Sequence, residues 1–245
     1  MKQSFYLEKL KTFSCWIPYL EQESNLPGPR GNLELAHAVA QVGTQTQFEQ
    51  LLGYQTAATN TPQEFLFFCG VLGLGKLVAA GDLPQLPRLR GYASDQRWRI
   101  REAVATGLQL VGDKDMDLLM REMSQWSSGN WLEKRAAAAA LAEPRLLRAA
   151  GQASAALDIL DAITTSMAKS SDRGEEGFKI LRQAMGYCWS VVVAALPNQG
   201  KQTMEKWLAS EDKDIRWMMR ENLKKNRLMK TDPTWTTAWQ ERLQN

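Results

Sequence analysis

Apolar residues recur through most of the chain with the three-and-four spacing of a helix, and no segment alternates as a strand requires. The pattern is sharpest over residues 92–111, YASDQRWRIREAVATGLQLV. Here Ile100, Ala103, Val104, Gly107, Leu108 and Val111 fall at i, i+3, i+4, i+7, i+8 and i+11, which makes one apolar stripe. Ser94 or Asp95 is placed to cap the helix start by accepting a backbone N–H. Trp98, Arg101, Glu102, Ala105 and Gln109 take the opposite face. A tryptophan there has no core to fill, so Trp98 is the first candidate for contact with a ligand.

Read in order, residues 3–20 predict an N-terminal helix with Phe13, Trp16, Ile17 and Leu20 on one face, its last turn weakened by Pro18. Residues 21–31, EQESNLPGPRG, have the composition of a linker. Residues 1–31 are therefore expected to be a helix and linker, and residues 32–245 the main domain. A short hairpin follows over residues 33–42 and 46–54, hinged near Gly43. Thr61 or Asn60 caps the next helix, with Pro62 at its first position, where no N–H is needed. Residues 84–93 pair with 95–111, and 113–126 with 130–142. Pro144 opens a helix through Ala150, Gly151 breaks it, and 153–167 resumes with Leu157, Leu160, Ile163 and Met167 inward. Residues 169–174 form a loop, and 175–196 the longest helix, stopped by Pro197. Segments 202–209 and 212–225 make the last hairpin. A final helix restarts at 231–233, with Trp235, Trp239 and Leu243 as an end cap.

The unit around Trp98 repeats. Residues 127–142, SSGNWLEKRAAAAALA, again begin on Ser and Asn, with Trp131 followed four residues on by Arg135. Residues 210–228 carry Trp217, Arg220 and Glu221 at the spacing of Trp98, Arg101 and Glu102. Aligning Arg101, Arg135 and Arg216 gives steps of 34 and 81 residues, one repeat and then roughly two. Helical patterning at this period predicts an all-α, right-handed α-α superhelix of HEAT type, with about five to six hairpins and the second helices lining the inner face.

Bulk composition changes this picture little. The chain has 245 residues, 44% hydrophobic and 23% charged, enough for a sizeable core. No apolar run is expected to reach the roughly 18 residues of a membrane span, and residues 1–13 lack the apolar region of a signal peptide. Cys15, Cys69 and Cys188 are odd in number, far apart and in apolar surroundings, so they read as buried thiols of a reducing compartment. The expected location is the cytoplasm. Net charge is only +3, so the placement of the charges matters more than their sum. Arg88, Arg90, Arg97, Arg99 and Arg101 crowd the first unit, and Lys213, Arg216, Arg220, Lys224, Lys225, Arg227 and Lys230 the last. Basic clusters with a tryptophan among them suit a polyanion. Equally, they suit solvated helix faces with Asp214 and Glu221 pairing locally.

Other chemistry is sparse. Gly70, Gly75 and Lys76 copy much of a phosphate-binding loop, but Leu77 stands where a hydroxyl must hold magnesium, and no strand precedes them. Gly70 and Gly73 are better explained by close approach of another helix. His37, the one histidine, has no second ligand near it in sequence and reads as a packed residue. No metal-spaced Cys/His cluster or hydrolase motif occurs, and neither metal nor cofactor is expected.

Two segments carry a family resemblance. Residues 131–140, WLEKRAAAAA, are similar to the W-x-x-R-R-A segment of the HEAT-like alkylpurine DNA glycosylases, the AlkD family. Residues 178–197 resemble that family's F-x-x-x-K-A-I-G-W-x-L-R-E…P helix through Phe178, Ala184, Met185, Gly186, Tyr187 and Pro197. With the repeats, the resemblance spans residues 60–228, approximately. It implies a concave face that holds duplex DNA, and a carboxylate one turn after a tryptophan that assists departure of a damaged base. The matching pair is Trp98 and Glu102; Arg135 matches the cleft arginine and Tyr187 the second aromatic. The departures are Glu for Asp at 102, Arg99 for the aspartate beside the tryptophan, Arg101 before the carboxylate, Tyr for Trp at 187, and Ser190, Val191 and Val192 for L-R-E. Flanked by Arg99 and Arg101, Glu102 is expected to be ionised. Together these features predict a non-catalytic module for duplex DNA or another polyanion. The expected contacts are Trp98, Arg99, Arg101, Trp131, Arg135, Tyr187, Arg216, Trp217, Arg220 and Lys224, and the one catalytic candidate is Glu102. A protein–protein scaffold and an active glycosylase are the competing readings.

Overall fold

Prolines and side-chain caps cut the chain into helices. A computed structural model describes residues 2–244, and it is 75% helix with no strand among the described residues. The all-α class follows from the sequence periodicity. The chain divides into two compact units, one ending at Lys114 and the other beginning at Asp115.

The first unit holds α1 (Lys2–Lys11), α2 (Ile17–Gln22), α3 (Leu33–Val42), α4 (Gln45–Leu52), α5 (Pro62–Ala79), α6 (Leu86–Tyr92) and α7 (Trp98–Gly112). Its centre is α5, PQEFLFFCGVLGLGKLVA, which is apolar on nearly every side and so must be surrounded. Helices α2, α3, α4, α6 and α7 all pack on it. By length and mean composition alone α5 could cross a membrane, but Gln63, Glu64 and Lys76 interrupt its apolar run and 72% of it is buried inside the protein. The phosphate-loop-like glycines are packing devices. A Cβ on Gly75 would lie 2.3 Å from the Cα of Gly107 in α7, and one on Gly73 would lie 2.2 Å from the Phe48 ring of α4. Thr61 caps α5 by accepting the Glu64 N–H, with Pro62 following it.

Three expectations need correction here. The helix predicted over 3–20 is two, because Pro18 starts α2 instead of ending a longer helix. The segment 23–32 is a fixed loop, with Ser24, Leu26 and Asn32 buried. Asn32 caps α3 and donates its amide to Tyr6 Oη at 2.9 Å and to the Glu23 carbonyl at 2.8 Å. Helix α1 packs on α3 within the first unit. Of the three cysteines Cys69 and Cys188 are buried, but Cys15, in the turn before α2, is exposed. Burial pushes the Cys69 thiol far above the usual cysteine range.

The second unit holds α8 (Met116–Trp126), α9 (Trp131–Leu141), α10 (Ala150–Ala168), α11 (Glu176–Ala195), α12 (Pro197–Leu208), α13 (Lys213–Leu223), α14 (Asn226–Thr231) and α15 (Pro233–Gln244). Here α11 is central, with α9, α10, α12, α13 and α14 against it. The buried alanines of α9, Ala136, Ala137, Ala138 and Ala140, let α11 come close. Gly151 does not break a helix. It lies in the first turn of α10, where backbone N–H groups have no intrahelical partner in any case, and only residues 144–146 form a separate turn. Likewise Pro197 starts α12 directly after α11, five residues before the expected 202.

Candidate ligand-binding surfaces

Charge placement separates the two units. Of the expected arginine cluster in the first unit, four members are tied into its own structure. Arg88 grips the Glu49 carboxylate at 2.6 and 2.9 Å, which holds that carboxyl below its usual range. Arg97 pairs with Asp95 at 2.7 Å and lies 4.7 Å over the Phe67 ring. Arg99 donates to Glu64 Oε2 at 3.2 Å, to the Gly28 carbonyl at 2.7 Å and to Asn60 Oδ1 at 3.2 Å. The same Glu64 oxygen accepts the Asn60 N–H at 2.7 Å. Arg101 turns back on its own helix start, donating to the Asp95 and Gln96 carbonyls at 2.7 and 2.8 Å. Arg99 and Arg101 are both 7% exposed, so the contact surface expected of them is largely withdrawn into the unit.

The start of α7 explains this arrangement. Asp95 does not cap the helix. Its Oδ1 accepts the Arg97 N–H at 2.8 Å in the preceding turn, and α7 begins three residues later, at Trp98. Trp98 therefore stands on the first turn and is 48% exposed. Glu102, one turn on, is half-buried. Both line a cavity of about 320 Å³ whose other walls include Leu33, Phe65 and Phe68. The Arg99 guanidinium lies 4.6 Å from the Trp98 ring centroid. The expected Trp98–Glu102 pair is thus brought to one cavity, while the Nη atoms of Arg99 are engaged with Glu64, Gly28 and Asn60.

In the second unit the basic and aromatic side chains meet an open cavity. Lys179, Arg182, Gln183, Gly186 and Tyr187 fall at i, i+3, i+4, i+7 and i+8 on α11, and together with Trp217, Glu221 and Lys225 they line about 530 Å³. Gly186 is closely packed there: a Cβ would lie 3.1 Å from the Cβ of Glu221 and 3.3 Å from the Trp217 ring. Arg182 lies 4.2 Å over Trp217, with Nε 3.3 Å from Asp214. Arg227 lies 4.9 Å over Tyr187 and donates to its hydroxyl at 2.5 Å. Glu221 is held by Lys224 at 2.5 Å. Behind the cavity, Arg173 clamps Asp212 at 2.6 Å and Asp214 at 3.1 Å, and it holds the Asp212 carboxyl below the aspartate range.

The remaining candidates divide. Trp131 is a structural anchor: its Nε1 donates to Glu175 at 2.8 Å and its ring meets Phe178 edge-on at 5.4 Å, joining the starts of α9 and α11. Arg135 on α9 and Arg216 on α13 are half-buried, whereas Arg220 and Lys224 are exposed beside Trp217. Lys179, Arg182 and Gln183 escaped the sequence reading, although their spacing with Tyr187 marks a polar stripe on a helix otherwise judged by its apolar one. Trp98 with Glu102 and Trp217 with Glu221, the ends of the two W-x-x-R-E segments, each line a cavity. Comparison with protein-family models gives no match, and none of the curated proteins matches the chain.

Proposed function

We propose that this chain is a HEAT-like module, a right-handed α-α solenoid divergent from the AlkD family, that binds duplex DNA or another polyanion without catalysing a reaction on it. The observation that carries the reading is the α11–α13 cavity, where Lys179, Arg182 and Lys225 stand among Tyr187 and Trp217. Each phosphate neutralised by such a cation releases counterions, so affinity falls with salt. For three contacts, a rise from about 50 to about 200 mM salt is expected to weaken binding roughly 40-fold. Fluorescence anisotropy across a salt titration measures this. Absence of binding at the lowest salt would leave the protein–protein scaffold, for which the exposed Trp98 is the natural anchor.

One observation favours a second reading, the glycosylase: Trp98 and Glu102 line the same cavity of the first unit. There the carboxylate would stabilise positive charge developing on the sugar as an alkylated base departs. Under this reading the unaltered protein releases methylated bases from alkylated DNA, and Glu102→Gln abolishes release with little change in DNA affinity. If the unaltered protein releases none, the binding module stands alone.

A further inference from the structure

We infer that the α11–α13 cavity receives an unstacked nucleobase, which makes single-stranded nucleic acid the preferred polyanion. The inference rests on the polyanion reading and sharpens it. A surface that only follows a phosphate backbone needs cations, and it has no use for open aromatic planes. Here Tyr187 is 42% exposed and reaches the same cavity as the half-buried Trp217. Arg182 lies 4.2 Å from the Trp217 ring centroid and Arg227 4.9 Å from that of Tyr187, so each ring has a positive charge beside it. Bases stack on aromatic and guanidinium planes of this kind, and only unpaired bases offer their faces. In a duplex those faces are already stacked on one another, and only edges and backbone are presented.

The rest of the lining fits the same occupant. A cavity of about 530 Å³ has the size of a small-ligand site. Gln183 supplies an amide, both donor and acceptor, and Glu221 a carboxylate held by Lys224, which are the groups that read a base edge. Lys179 is exposed and Lys225 half-buried at the wall, where ammonium groups meet a phosphodiester. A protein partner would call for an apolar floor, and apart from the two aromatic rings this wall is mostly charged or amide-bearing.

The test compares labelled oligothymidylate, oligouridylate and a mixed-sequence duplex, each of about twenty units, which exceeds the usual 4–16-nucleotide span of one binding fold. Heparin serves as a polyanion without bases. Single strands should bind at least roughly tenfold tighter than duplex, and Tyr187→Ala should weaken them about 5- to 150-fold, the worth of one stacked base. Tyr187→Phe, which keeps the ring, should restore most of that affinity, and neither variant should alter heparin binding. The two oligonucleotides differ in the 2′-hydroxyl and in the thymine 5-methyl, and an oligodeoxyuridylate control assigns any DNA or RNA preference to the sugar. If duplex and single strands bind alike and Tyr187→Ala changes nothing, the inference is overturned while the polyanion reading survives. If heparin and all three nucleic acids fail to bind, both fall. Circular dichroism of the Tyr187 variants excludes misfolding as the cause of any loss.

Discussion

Glu64→Ala should destabilise the first unit by about 3–5 kcal/mol, the usual consequence of leaving a buried charge without its partner. Glu64 is 0% exposed and the Arg99 side chain 8%, so neither charge is relieved by water. Removing the carboxylate strands the guanidinium against Asn60 and the Gly28 carbonyl, and it takes away the acceptor of the Asn60 N–H. Arg99→Met should cost a similar amount, and it also releases the 23–32 loop from α7, so proteolysis within that loop should accelerate. The double variant Glu64→Leu with Arg99→Met should recover much of the loss, because an apolar pair of similar volume avoids desolvating two ions. Urea unfolding measures all three. A single-variant loss below about 1 kcal/mol would mean the pair behaves as a solvated surface bridge.

This ion pair marks the limit of what could be read from the chain. The stripe of α7 was legible because periodicity depends only on neighbours, and Ile100, Ala103, Val104, Gly107, Leu108 and Val111 are all buried as expected. Local caps were legible for the same reason, as with Thr61 before Pro62 and the Ser/Asn start of α9, where Asn130 and Glu133 form a capping box. Partners distant in sequence were not. Arg99 and Glu64 are 35 residues apart, and a buried arginine is spelled like an exposed one. Arg101 could be assigned to the inside of its own helix start only once that start was known. Asp95 had moved it by taking the Arg97 backbone instead of capping. The first basic cluster therefore looked like a binding surface and is mostly internal bracing. In the second cluster Arg220, Lys224 and Lys230 stay exposed, and Lys225 lines the cavity with Trp217 and Tyr187.

Asn222→Leu should destabilise the second unit by about 3 kcal/mol, since it removes a side chain whose every polar atom is engaged in the core. Asn222 is fully buried on α13. Its amide donates to the Met185 carbonyl at 2.7 Å and the Met218 carbonyl at 2.8 Å, and its Oδ1 accepts the Ser190 N–H at 2.8 Å. Leucine keeps the branched shape but is bulkier, so some packing strain adds to the lost hydrogen bonds. The charge state supplies an independent check. Asn222→Asp puts a carboxylate against two carbonyl oxygens, which repel it, and burial adds to the penalty. The new carboxyl therefore has a folded-state pKa above its unfolded value, and the folded protein binds more protons in the interval between them. Stability of Asn222→Asp must then fall as pH rises through that interval, so the variant should be weakest near neutrality and should recover toward about pH 4 relative to Asn222→Leu. Denaturant midpoints measured at several pH values read this directly, and hydrogen exchange at the Ser190 amide locates the broken contact. Equal pH dependence for the two variants would place the side chain of residue 222 outside the α11–α13 contact.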